Sequence, residues 1–280
     1  MFWKIARILF ILMAAVQLAN AQTIGTTVFE SGTEGHKIYR IPAIVKLPNK
    51  NLLAFCEGRV NGGGDFGDIN IVLKKSTDGG ATWSALSTVI DYDKLQAGNP
   101  APVVDLTDPR YPKGRVFLFY NTGNNDEYSM RMGKGIREVW YVTSEDGGDT
   151  WSTPTNITAQ VHRPNQPGIN KAYSCKEDWR SYANTPGHAT QFLTGVYKGR
   201  IYVAANHSSG PPQKNFEDYN PHAFYTDDHG QSFSLANSII LPGSNEATAA
   251  TLSNGKLILN ARNQAAVSYT HLTLPTNREV

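Results

Sequence analysis

Short apolar runs of strand length recur along the chain, each bounded by turn residues. The first begins at Tyr39-Arg40-Ile41-Pro42, the second spans 52–55 and the third 69–73, a spacing that predicts three antiparallel strands. A proline-bounded strand entry at 99–105 follows, then a run at 115–120 and another at 137–142, so the rhythm of two strands and a turn repeats. It resumes at 190–193, 200–205, 223–225 and 256–263. The least regular stretch, 165–185, is a long insertion; Tyr173, Trp179 and Tyr182 within it predict an ordered segment. No long amphipathic helix stands out. The expected fold is all-β.

Composition agrees: 25 glycines, 15 prolines and 10% aromatics in 280 residues suit a strand-and-turn protein with a sizeable core. A formal charge of +2, with no basic run longer than Lys74-Lys75, argues against nucleic acid or an anionic membrane surface as partner. At the N-terminus, Lys4 and Arg7 precede an apolar run at 8–16, and Ala19-Asn20-Ala21 is a small-x-small site. Residues 1–21 are therefore expected to be a signal peptide cleaved after Ala21, followed by export. The run is too short to span a bilayer, which takes roughly 18 or more apolar residues, so no stable membrane insertion is expected. Cys56 and Cys175 allow at most one disulfide, and Cys56 reads as a buried small hydrophobe. Neither cysteine has zinc-site spacing and the seven histidines contain no HxxxH pair, so no metal or other cofactor is expected.

One turn returns three times. Ser76-Thr77-Asp78-Gly79-Gly80-Ala81-Thr82-Trp83 combines an acid that caps its own turn, glycines for positive φ and a tryptophan anchor. Its copies begin at Ser144, with Asp146 and Trp151, and more loosely at Thr226, with Asp228 and Phe233. Their starts lie 68 and 82 residues apart, room for a four-stranded unit with elaborated loops. With the Tyr39-Arg40-Ile41-Pro42 motif, these boxes make 25–263 resemble the sialidase (neuraminidase) superfamily. That resemblance implies a six-bladed β-propeller over 22–263, incomplete here with about four blades, and structural roles for Asp78, Asp146 and Asp228. The boxes lack the acid ladder of a calcium loop.

The resemblance also implies an exo-α-sialidase acting with retention on sialylated glycans, glycoproteins or glycolipids. A sialoside carries a carboxylate beside its anomeric carbon, which planar, permanently charged guanidinium groups bind bidentately. Arg40 matches the first arginine of the family's triad and Arg262, in Asn260-Ala261-Arg262, the second. Asp65, six residues after Arg59 on a four-glycine loop, falls where the family has its general acid/base, with Asp68 as competitor. Such an acid must hold its proton near neutral pH, so its pKa must rise from about 4 by desolvation. Arg59, expected to bind substrate polar groups, would oppose that rise unless angled away. Sialidases use a tyrosine nucleophile, and Glu246 matches the glutamate that takes its proton. Glu246 lies sixteen residues before Arg262, which a hairpin turning at Ser253-Asn254-Gly255 would bring to one end of a blade.

Beyond Asn263 the resemblance stops: 264–280 lacks the third arginine and the nucleophilic tyrosine and resembles vector read-through, with Tyr269 the one tyrosine in it. The chain as given is therefore expected to be inactive. Two other readings stay open. One is a glycan-binding propeller that has lost its chemistry, against which the presence of both Asp65 and Glu246 counts; the other is a structural propeller, which leaves Arg40 unexplained.

Overall fold

The computed structural model describes residues 25–237 and 239–264 and the backbone of 269–273; the expected signal peptide lies outside the described residues. The strands fall into four antiparallel units. In the first, β1 (Ile38–Lys46), β2 (Leu52–Arg59), β3 (Ile69–Ser76) and β4 (Ser87–Ile90) follow one another; in the second, β5 (Gln96–Asp105), β6 (Arg115–Gly123), β7 (Arg137–Ser144) and β8 (Thr155–Asn156) do the same. The third has a broken inner strand. Both β9 (Trp179–Asn184) and β10 (Thr190–Gln191) pair with β11 (Ile201–Ser209), which continues to β12 (Tyr219–Thr226) and β13 (Ser234–Leu235). The fourth comprises β14 (Ser244–Thr251), β15 (Leu257–Asn263) and β16 (Tyr269–Thr273). Among the described residues two short helices, α1 (Glu127–Arg131) and α2 (Thr158–Val161), sit in loops.

The apolar runs are nearly continuous because each unit is covered on both faces, so both sets of alternating side chains are buried. On β6, Phe117 and Phe119 pack with Val203 and Phe224 of the third unit, while Val116, Leu118 and Tyr120 pack with Leu53, Phe55 and Ile71 of the first. On β11 the parity repeats: Ile201, Val203 and Ala205 face the second unit, Tyr202 and Ala204 the alanines and leucines of the fourth. Phe119 is fully buried, edge-on to Phe224 at 5.6 Å. Its truncation to alanine would cost about 3–5 kcal/mol.

The register orients every unit the same way. A parallel contact joins Ile69 to Gln96, the Gly243 N–H reaches the Tyr219 carbonyl, and Thr190 meets Thr251. The first residues of β1, β5, β9 and β14 therefore share one end of the array, and the Asp-box turns between β3 and β4, β7 and β8, and β12 and β13 share the other.

Each box is built alike. Ser76 Oγ donates to Asp78 at 2.8 Å and accepts from the Gly80 N–H at 2.8 Å, while Thr82 gives Asp78 its N–H at 2.9 Å and its hydroxyl at 2.5 Å. Asp146 and Asp228 collect the same set from Ser144 and Thr150 and from Thr226 and Ser232. The bonds from Thr82, then Ser76, hold the Asp78 carboxyl far below the usual carboxylate range. At Asp146 burial acts upward, and the bonds from Thr150 and Ser144 outweigh it. Trp151 anchors its box edge-on against Phe55, 5.9 Å between ring centres.

Residues 269–273 pair with β15, Tyr269 opposite Ala261. An edge strand with unpaired backbone groups accepts an extended neighbour, and a segment of Tyr, Thr and Leu suits one.

Candidate active site

All four inner strands break register at the same end, β9 at Trp179–Tyr182 against β11, and three of the breaks aim candidate residues. The shift falls between Arg40 and Ala43 on β1, between Gly98 and Ala101 on β5, and between Asn245 and Ala247 on β14. At the bulges of β1, β5 and β14 a non-glycine residue takes positive φ: Ile41 at 53°, Asn99 at 53° and Glu246 at 32°. Such a conformation costs about 1–2 kcal/mol per residue, and strain of this kind concentrates where side chains are being aimed.

Around the first bulge, four predicted residues or their neighbours come together. Arg59 is 2% exposed and clamped from below: its Nε and Nη2 donate to Glu57 Oε2 at 3.0 and 2.6 Å. Its Nη1 donates to the carbonyls of Gly63 and Gly64, at 2.7 and 2.9 Å, and to Asp65 Oδ1 at 2.7 Å. Burial presses the guanidinium pKa down, but the charges and hydrogen bonds of Glu57 and Asp65 together outweigh it and raise the pKa. Arg40 Nη1 donates to the same Asp65 oxygen at 3.1 Å. Behind Arg40, the Cys56 thiol donates to its carbonyl at 2.9 Å; burial pushes this thiol to about 12. Both cysteines are free, Cys56 buried as expected.

Arg59 is thus not angled away from Asp65. The glycine loop folds back far enough that two carbonyls and the acid close on one nitrogen, so Arg59 shapes the loop. Asp65 remains 65% exposed at its side chain, whereas Asp68 serves the loop neck, its carbonyl accepting from the Val60 N–H at 3.0 Å.

On the fourth unit the hairpin brings Arg262 opposite Asn245, and Arg262 Nη1 donates to Glu246 Oε2 at 2.7 Å. Both side chains are open to solvent. Among the described residues no contact bridges this pair to the Arg40 cluster; the two groups share an end of the array.

Sequence reasoning missed Glu57 and Asn99. Glu57 Oε1 accepts from the Asn99 N–H at 2.9 Å, tying the first unit to the bulge of the second, and a Cβ at Gly98 would meet that oxygen at 2.5 Å. The available signal was a charged residue inside the apolar run of β2, two residues before Arg59 and on the same face. Nearby, Gln96 Oε1 and Arg137 Nε are buried without protein partners.

The Asp-box acids lie at the opposite end. One trio there, Asp105, Asp108 and His229, has metal-ligand spacing. Its oxygens are already taken by protein donors: Arg110 and Arg115 on Asp108, and Gln191, Thr107 and His229 on Asp105.

A row of antiparallel blades, with Asp-boxes at one end and bulges presenting arginines and acids at the other, defines a β-propeller of the Asp-box type. The chain belongs to the sialidase superfamily: the family model for a BNR repeat-like domain matches residues 50–276. A sialidase of Micromonospora viridifaciens is 30% identical over 267 residues, covering 88% of this chain and 36% of that protein. A sialidase of Paraclostridium sordellii is 28% identical, covering 85% of this chain and 56% of its own length. The solved structure of a Hadza microbial sialidase superposes with a TM-score of 0.71 at 23% identity, over 89% of this chain and 47% of that one. The chain thus spans between about a third and just over half of the curated relatives named here.

Proposed function

We propose that the protein is an exo-α-sialidase that removes terminal sialic acids from glycoconjugates with retention of configuration. The observation that carries this reading is the cluster in which Arg40 and Arg59 converge on one exposed acid, Asp65. Bound substrate would take Arg40 and Arg262 for its carboxylate, and Arg59 for polar groups of the sugar. Once substrate competes for Arg40 and the glycine loop closes, Asp65 loses a counter-charge and water together. Both changes favour the protonated acid that donates to the glycosidic oxygen. Glu246 would take the proton of a tyrosine nucleophile, needed because a phenol ionises near pH 10. The basic, apolar and small-residue order of 1–21 supports export, for which N-terminal sequencing of mature protein should read from Gln22.

A second reading is a sialoside-binding propeller without turnover. It is favoured by the paired state of Asp65, whose Oδ1 receives two guanidinium nitrogens. Incubation of an aryl sialoside with a chain extended to its relatives' full length separates the two: release of sialic acid above the blank supports the hydrolase, and binding of the unsaturated sialic acid analogue without release supports the lectin. Neither binding nor release would remove both.

A further inference from the structure

The end of the array remote from the arginine cluster holds a cavity of about 480 Å³ between the second and third units. From Asn99 to Asp105 the inner strand runs six residues, roughly 20 Å at about 3.3 Å each, so this cavity is separate from the candidate active site. Its wall includes His229, which stands in the third box where the other two boxes have Gly79 and Gly147. All three residues take positive φ, 58° for His229 against 76° and 75° for the glycines. A histidine there carries backbone strain that the repeat avoids twice with glycine. The ring is held by its Nδ1 on Asp105 Oδ2 at 2.7 Å, which leaves the Nε2 edge for the cavity wall.

The remaining wall is rich in donors. Arg115 lies between Tyr111 and Phe117, its guanidinium carbon 4.4 and 4.6 Å from their ring centres, and its Nε is buried without a hydrogen-bond partner. Arg110 uses Nε and Nη2 on Asp108, leaving Nη1 outward. With the Asp105 and Asp108 oxygens occupied by protein donors and Arg115 Nη2 on the His229 carbonyl at 2.7 Å, the outward edge of Arg110 offers hydrogen bonds to an anion, and the His229 Nε2 can accept from a sugar hydroxyl. The volume far exceeds one ion and lies in the range of small-ligand pockets. Hydroxyls of Thr143 and Thr155 and the side of Tyr141 supply the polar and apolar surfaces that a pyranose presents.

We infer that this cavity is a second carbohydrate site, selecting a monosaccharide unit that bears a carboxylate or a sulfate. It would hold an acidic glycan on the face opposite the bulges, and it stands independently of the hydrolase reading because its test needs no turnover.

Ligand-observed saturation-transfer NMR on the purified chain tests it with glucuronic acid, N-acetylglucosamine 6-sulfate and glucose as ligands and sodium sulfate as competitor. One or both acidic sugars should give a signal that glucose lacks, and which of them responds identifies the anion. His229→Gly, which restores the residue of the other boxes, and Thr153→Trp, which fills the cavity from an exposed position, should each cut that signal at least fivefold. The inference is overturned if neither acidic sugar responds or if the signal survives both substitutions. Full displacement by equimolar sulfate would reduce the site to an adventitious ion only and overturn the sugar assignment.

Discussion

The two ends of each blade solve opposite problems with the same backbone. At the Asp-box end, positive φ falls on Gly79, Gly80, Gly147, Gly148 and Gly230, and an acid satisfies the turn's own N–H and hydroxyl groups. At the other end, positive φ falls on Ile41, Asn99 and Glu246, and the acids face guanidinium groups rather than their own turns. The first arrangement minimises strain and closes on itself. The second carries strain and leaves charged groups open to solvent, as expected where a ligand completes the network. Among the three boxes, His229 is the non-glycine that breaks the pattern at this position.

The largest effect that would sharpen this contrast is on turnover. In a chain extended to its relatives' full length, Asp65→Asn should slow hydrolysis of natural sialosides by about 100- to 10,000-fold, the usual range for general acid catalysis, with much less effect on substrates with good leaving groups. Equal loss on both kinds of substrate would make Asp65 a structural residue of the loop.

Acid should act next, through a third region. His162, His207 and His222 are buried among Trp179 and Tyr182, with His207 Nδ1 3.0 Å from His222 Nδ1 and Trp179 stacked on His207 at 3.5 Å. Burial lowers all three pKa values, His207 to about 3, and the nearby Arg163 adds to the effect at His162 and His222. These rings are neutral in the fold, while the unfolded chain binds their protons near pH 6.5. Stability is therefore full above about 6.5 and falls as pH drops toward 3, by up to about 1.4 kcal/mol per pH unit for each ring. Thermal melts between pH 6.5 and 4.5 should show this slope before the Asp-box carboxylates titrate, and His207→Gln should flatten it.

Much of this was legible in the sequence. The strand runs, the three boxes and the placement of Glu246 and Arg262 at one end of a hairpin follow from period-two burial and turn chemistry, which are local. The bulges were not legible, because register is set by the partner strand: nothing in Asn99-Pro100 itself shows that its N–H will meet Glu57. Nor was the approach of Arg59 to Asp65, since a four-glycine loop has no preferred path until carbonyls and guanidinium meet. The pairing of 269–273 with β15 likewise depends on an open edge.

Smaller effects should separate the ends cleanly. Asp146→Ala, which leaves the N–H groups of Asp149 and Thr150 without their acceptor, should cost about 1–2 kcal/mol in chemical denaturation, like loss of a helix cap. It should leave sialic acid binding unchanged. Gly79→Ala meets no neighbour within 4 Å at φ +76°, so it should cost only the strain of that conformation, about 1 kcal/mol. A shift in ligand affinity from either substitution would show that the two ends are coupled.

The direct test is calorimetric titration of the unsaturated sialic acid analogue into the wild-type chain and into Arg40→Ala. The affinity should fall by about 2–5 kcal/mol, because a desolvated carboxylate loses one of its partners, with the circular dichroism spectrum unchanged. An unaltered dissociation constant in the folded variant would contradict the account and take the bulge of β1 out of the site.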